Sequence, residues 1–316
     1  MKEPRSNLDE PRSYYGRPVI KEPVWTPEIP IYFFVGGLAG ASATLACVAD
    51  TLGHEKLARR GWALALGGVG VSPALLISDL GRPSRFLNML RMFKVTSPMS
   101  VGSWILSGAG ATIAPVAVHA WTGRFKGLAR LCRPLAALLG LPLATYTGAL
   151  IANTAVPVWH EARKQLPFLF GAGAAASAGA ALLIVTPVDE AGPARRLTIW
   201  AAATELVLTN VMEEQLGELG EPYHTAEAGK FAHLAKILTA VGATMVGAGA
   251  GRSRIAAMAG GATILGGALA ERWAVYKAGF QSAADPKYTV GPQRKRIESG
   301  QGQGAIRKTP RREVAS

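Results

Sequence analysis

Few residues in this chain are placed to do chemistry, and the most telling lie in apolar surroundings. Glu205 sits within WAAATELVLTN and Lys236 within FAHLAKILTA. A charge inside a bilayer is costly unless it is paired or wetted, so an ionisable residue there marks a functional candidate. Two readings fit Glu205 and Lys236: a structural ion pair, or a proton path through both. Lys236 lies about a turn inside its apolar stretch, close enough to the end to snorkel. Glu28 opens the first apolar stretch, where a helix macrodipole favours a carboxylate, so capping competes with catalysis. Asp79 closes the second stretch, where the dipole disfavours an anion, and Arg82 and Arg85 follow at once. That arrangement requires a reason beyond capping.

Other chemistries are excluded by residue type and spacing. Cys47 and Cys132 stand alone, with no second cysteine or histidine at metal-ligand spacing, so the chain is not expected to bind a metal, an iron–sulfur cluster or zinc. Any cluster must then belong to a partner. Of the histidines His54, His119, His160, His224 and His233, all but His233 fall in expected loops or at helix ends. A membrane b-type haem needs axial ligands facing each other from within helices, so no haem is expected. His160 and His224 read as solvated loop residues. Phosphate-loop, dinucleotide-turn and nucleophile-elbow motifs are missing from the sequence.

The elements that must position these residues are membrane helices. The 316 residues are 49% hydrophobic and 17% charged, whereas soluble domains carry about 25% charged residues. A bilayer core needs about 20 apolar residues per span, and eight such stretches follow one another. They run from about 29 to 52, 61 to 77, 101 to 121, 135 to 156, 166 to 185, 196 to 211 (extended toward Gln215), 231 to 250 and 255 to 276. The fold class is therefore all-α, a polytopic membrane protein of about eight transmembrane helices. Glycine, alanine and serine crowd the spans, as in GAGAAASAGAA, which suits close helix contact in lipid. Residues 1–27 form a polar, proline-rich tail, 28–280 the transmembrane domain, and 281–316 a basic tail expected to be disordered or partner-bound. No apolar core precedes a small-residue cleavage site near the start, so the first span is expected to act as an uncleaved anchor. The formal charge of +13 lies in tails and short loops, which fits topology and lipid headgroups rather than nucleic acid.

With DLGRPSRF after the second span and TSPMSVGSWIL leading into the third, the chain resembles the NrfD/PsrC family of quinone-interacting membrane subunits. IPIYFFVGGLAG in the first helix, TYTGALIANTAVPVW in the fourth and AERWAVYKAGFQSAADPKY in the last extend the resemblance over about residues 25–290. The resemblance implies two four-helix bundles, with a site for quinone (menaquinone or ubiquinone) in the first. It implies a ferredoxin-like iron–sulfur subunit and a catalytic, molybdopterin-containing subunit as partners in a respiratory oxidoreductase complex of the cell's inner membrane. Tyr146 of TYTG matches the tyrosine that hydrogen-bonds a quinone oxygen, Asp79 the acidic position ending the second helix, and Glu28 a polar position facing the same pocket. Ile31 stands where some relatives carry a histidine.

The chemistry is consistent with that resemblance. An apolar quinone needs a lipid-accessible pocket with a few polar groups for its two oxygens. Tyr146 can donate, Asp79 or Glu28 can accept, and Arg82 or Arg85 can stabilise negative charge nearby. The alternative is a secondary transporter using Glu205 and Lys236, with Glu271 and Arg272 near the last span's end. Basic residues at the two sets of span ends nearly tie, so charge does not orient the chain.

Overall fold

The computed structural model describes residues 18–80, 82, 84 and 86–298. Among the described residues the regular structure is helical, with no strand. The long helices are α1 (Glu28–Thr51), α2 (Glu55–Asp79), α4 (Pro98–Thr122), α5 (Lys126–Ala152), α7 (Leu166–Val185), α8 (Gly192–Leu216), α9 (Ala226–Gly249) and α10 (Arg254–Ala284). Short helices α3 (Phe86–Arg91), α6 (Pro157–Glu161) and α11 (Lys287–Glu298) and the 3-10 segments Ala162–Lys164 and Gly217–Tyr223 join or follow them.

Six of these helices, α1, α2, α4, α5, α7 and α9, are long and apolar enough to cross a membrane, which makes this a multi-pass membrane protein. The other two expected spans, α8 and α10, have 25 and 31 residues but carry Glu205, Glu271 and Arg272 in their middles. Their charge, not their length, sets them apart.

The helices pack as two groups of four. In the first, α1 packs on α2 and α5, and α4 on both of those; in the second, α7 packs on α8 and α10, and α9 on both of those. Contacts of α7 with α1 and α5 join the groups. Small residues set these seams. A Cβ at Gly40 or Gly140 would overlap the other's backbone carbonyl across α1 and α5, and one at Gly68 would come 2.6 Å from Ala39 Cβ across α2 and α1. Backbone contact this close replaces the hydrophobic drive that lipid cannot supply.

Two expectations shift. The basic loop before the fourth span is only a short turn: Gly123, at φ 71°, caps α4, and Lys126–Arg133 already form the first turns of α5. Ala129, Cys132 and Ala136 are buried at helical spacing there while Arg130 is exposed and Arg133 pairs with Asp50 of α1, so the segment is an amphipathic helix rather than a loop. Of the tail expected from 281 to be disordered or partner-bound, the described part forms the end of α10 and then α11, through Glu298. Asp285 accepts a hydrogen bond from the Lys287 backbone at 2.9 Å to start α11, and Tyr288 is buried. Residues 1–17 and 299–316 of the expected tails lie outside the described residues.

Candidate functional site

Just before α1 the chain crosses the end of both bundles. Trp25 stacks on Trp159 of α6 with ring centroids 5.4 Å apart, and its carbonyl accepts a hydrogen bond from the Tyr276 hydroxyl of α10 at 2.6 Å. Trp159 is itself fixed by donating to the Val275 carbonyl at 2.7 Å. These contacts hold the next residue, Thr26, whose N–H and hydroxyl both donate to Asp79 Oδ1 at 2.9 Å. Asp79 thus ends α2 and lies against the start of α1, so the N-terminal dipole of one helix offsets the unfavourable C-terminal dipole of the other. Arg82, expected to compensate Asp79, is exposed, and Arg85 lies outside the described residues.

Beside Asp79 a cavity between α1, α2, α3, α4 and α5 holds about 540 Å³ of non-atom space, its open mouth included. Ile29, Phe33, Leu76, Met89, Met99 and Leu150 give it apolar walls. Its polar groups are Asp79, Tyr146, Tyr32 and Ser103. The Tyr32 hydroxyl is buried without a hydrogen-bond partner. Buried tyrosine hydroxyls usually find one, so an orphan at a cavity wall is a donor available to a ligand. The Tyr146 ring occupies space that only glycine at position 102 leaves open, since a Cβ there would overlap the ring. TSPMSVGSW and TYTG, far apart in sequence, are fitted to each other at this point.

Asp79 and Tyr146 therefore come together as the sequence suggests. Glu28 does not line the cavity; it starts α1, with one carboxylate oxygen buried and unpartnered. Tyr32 was missed, because a tyrosine inside IPIYFFVGG reads as ordinary apolar packing. The family described as "Polysulphide reductase, NrfD" matches the chain over residues 19–196. The chain belongs to the NrfD family. No curated protein matches it in sequence. The NrfD match takes in α1 through α7 and the first residues of α8, and hence every residue lining the cavity. It stops short of α9 and α10, which the resemblance read from the sequence had included.

The second bundle holds the other candidates, arranged differently from expectation. Lys236 pairs with Glu213, Nζ to Oε2 at 2.6 Å, and not with Glu205. Helix α9 starts at Ala226, which puts Lys236 deeper than its sequence suggests, and its side chain reaches Glu213 near the end of α8. Glu205 instead lies with Glu271 and Arg272, all three buried. Arg272 pairs with Glu271, donates to the Phe170 carbonyl at 2.8 Å and lies over the Phe170 ring at 3.9 Å. Gly173 of α7 leaves room for this group: a Cβ there would come 2.8 Å from Glu205 Oε1 and 2.9 Å from Arg272 Nη2. Glu271 and Arg272 looked terminal in the sequence because the last span was expected to end near Tyr276; α10 runs on to Ala284 and makes them central. Glu213 and Tyr223 were missed. Glu213 lies eight residues after Glu205, about two turns along the same face of α8, and that spacing is the signal that could have found it. Tyr223 follows α8 in the 3-10 segment, where burial raises its hydroxyl well above the ordinary range, with the Glu271 and Glu213 carboxylates adding to the effect.

Proposed function

We propose that the cavity of the first bundle binds the headgroup of a quinone and that the chain, in the inner membrane, exchanges electrons with an iron–sulfur subunit of a polysulphide-reductase-like complex. The observation that carries this reading is the buried, unpartnered hydroxyl of Tyr32, a residue that lines an apolar cavity together with Tyr146 and Asp79 at one end of the bundle. When bound, a quinone supplies two-electron chemistry coupled to protons.

The residues divide the remaining work. Tyr32 and Tyr146 donate hydrogen bonds to carbonyl oxygens and orient the ring. Asp79, held at one oxygen by Thr26, exchanges a proton at the other. The methionine and leucine walls keep water from the ring's faces and admit an apolar tail. Trp25, Asp79, α3, α6 and α11 share the cavity's end of the bundle, and that end is where an iron–sulfur subunit would dock. In this reading α8 and α10 also cross the membrane, their ions facing inward, which completes eight spans.

The reading predicts that the chain purified from its native membrane in mild detergent retains quinone and brings iron with it. Tyr32→Phe and Tyr146→Phe each remove one hydroxyl, worth about 0.5–1.5 kcal/mol. Each should weaken quinone retention up to about tenfold and slow quinol turnover while leaving assembly intact. Recovery of a stable protein with neither quinone nor an iron–sulfur subunit would overturn the reading. Unchanged turnover in both variants would return the tyrosines to packing.

A further inference from the structure

Among the described residues, the buried ions of the second bundle do not balance. Glu213, at 8% exposure, is matched by Lys236. Deeper in, Glu205 and Glu271 have Arg272 as their shared cation, and only Glu271 is ion-paired with it. Both Glu205 oxygens, one Glu271 oxygen and the Tyr223 hydroxyl are buried without hydrogen-bond partners. All three residues, together with Glu213, line one narrow cavity between α8, α9 and α10. Burying an uncompensated charge is too costly to sustain, so the group must take up one positive charge.

We propose that Glu205 and Glu271 share one exchangeable proton beside Arg272, and that this proton reaches the cavity's end of the bundle through Glu213 and Lys236. A metal cation fits poorly, because the Arg272 guanidinium and the Glu205 carboxylate share the small space beside Gly173. A proton, bound covalently to one oxygen, needs no ligand shell and neutralises the surplus charge, which the unpartnered Tyr223 hydroxyl and Arg272 Nε–H cannot do.

The route is graded. Glu205 is 2% exposed and about 16 Å along α8 from Leu216. The Lys236 side chain is 29% exposed, and that of His224, 62% exposed, places Nε2 3.6 Å from Glu213 Oε2. The charged and titratable groups facing the site are Glu205 and Glu213 from α8, Lys236 from α9, Glu271 and Arg272 from α10, and Tyr223 with His224 after α8. Helix α7, packed on the same group, carries no ionisable side chain. This inference is independent of the quinone reading, since it needs neither quinone nor a partner.

Infrared difference spectroscopy of the full chain in lipid nanodiscs tests it. A protonated carboxylic-acid C=O band should be present at neutral pH, shift on transfer to deuterium oxide without unfolding, and be insensitive to sodium. Glu205→Gln and Glu271→Gln should each abolish the whole band, because either substitution leaves one acid matched by Arg272. Both variants remove a charge that the bundle lacks a cation for, so both should fold. A band that survives either substitution, a band that sodium removes, or the lack of a band in the folded wild type would overturn the shared proton. Failure of the band to shift in deuterium oxide would overturn its exchange with the membrane face. Collapse of both Gln variants would show that the bundle needs both negative charges, and would equally overturn the proposal.

Discussion

Asp79 in the first bundle is held at the helix ends, where the Thr26 N–H and hydroxyl and a neighbouring helix dipole satisfy it. Glu205 and Glu271 in the second bundle lie mid-helix, where only side chains are available. The two sites share a device, a glycine that vacates the space a polar side chain then fills: Gly102 for Tyr146, and Gly173 for Glu205 and Arg272. They differ in what surrounds that space. The first site has neutral hydroxyls and one carboxylate in apolar walls, which suits a neutral ligand with two oxygens. The second is ionic and narrow, which suits a proton. An acid at a helix end can therefore be altered without dismantling its bundle, whereas the cation amid the second bundle's acids cannot.

The largest expected effect follows from that contrast. Arg272→Met leaves Glu271 without its ion partner and the Phe170 carbonyl without its donor. Removing one member of a buried ion pair costs about 3–5 kcal/mol, so folded protein should be largely lost. Adding Glu271→Gln should restore part of the yield, because it removes the stranded charge. Thermal unfolding of the detergent-solubilised variants measures both. Wild-type stability in Arg272→Met would erase the distinction between the bundles.

Asp79→Asn comes next and separates chemistry from structure. Asparagine keeps an oxygen for the Thr26 donors, so assembly and helical content should stay near wild type. The exchangeable proton is gone, and loss of a positioned acid or base lowers turnover by about 100-fold or more. Asp79→Ala should add a loss of about 0.5–2 kcal/mol in stability, as for a missing helix cap, because the Thr26 donors lose their acceptor. If Asp79→Asn oxidises quinol normally, Asp79 only ties α1 to α2.

Much of this contrast was legible in the sequence, and the illegible part has a physical cause. Span length and small-residue content give an all-helical membrane fold, because both follow from the bilayer's thickness and from helix contact. Asp79 stood out because an anion at a helix C-terminus is anomalous whatever it touches. Its partner did not, since Thr26 reaches it through the Trp25 stacking on Trp159, a contact across more than a hundred residues. Glu205 was conspicuous for a different reason, a charge in the middle of an apolar span. Its pairing was not, because side-chain reach decides between Glu205 and Glu213 as the partner of Lys236, and α9 begins earlier than its apolar run. Tyr32 was invisible, since its orphaned hydroxyl is a property of the space around it.

The smallest expected effect concerns the helices that cover the two bundles at the shared end. Helix α3, over the first, buries none of its residues. Helix α11, over the second, packs on α6 and α10, buries Tyr288, and is tied by Lys287 Nζ to Glu221 Oε2 at 2.8 Å. Amide exchange should therefore be slower in α11 than in α3 at neutral pH. The Lys287 ammonium holds the Glu221 carboxyl below the ordinary carboxylate range, and the hydrogen bond to Glu221 raises Lys287 above its own. A lowered carboxylate contributes fully above its unfolded pKa and loses that contribution as pH falls through the folded value. A raised lysine contributes below its unfolded pKa and loses it as pH rises through the folded one. The tie is thus complete across neutral pH and weakens first on the acid side. Both side chains are about half exposed, so solvent and salt screen the pair and the effect should be slight. Acidification below the ordinary carboxylate range, added salt or Lys287→Ala should each narrow the gap between α11 and α3 without closing it, because Tyr288 remains buried. Equal exchange of α3 and α11 at neutral pH would mean that the two ends are covered alike, and would leave the contrast between the bundles to their interiors alone.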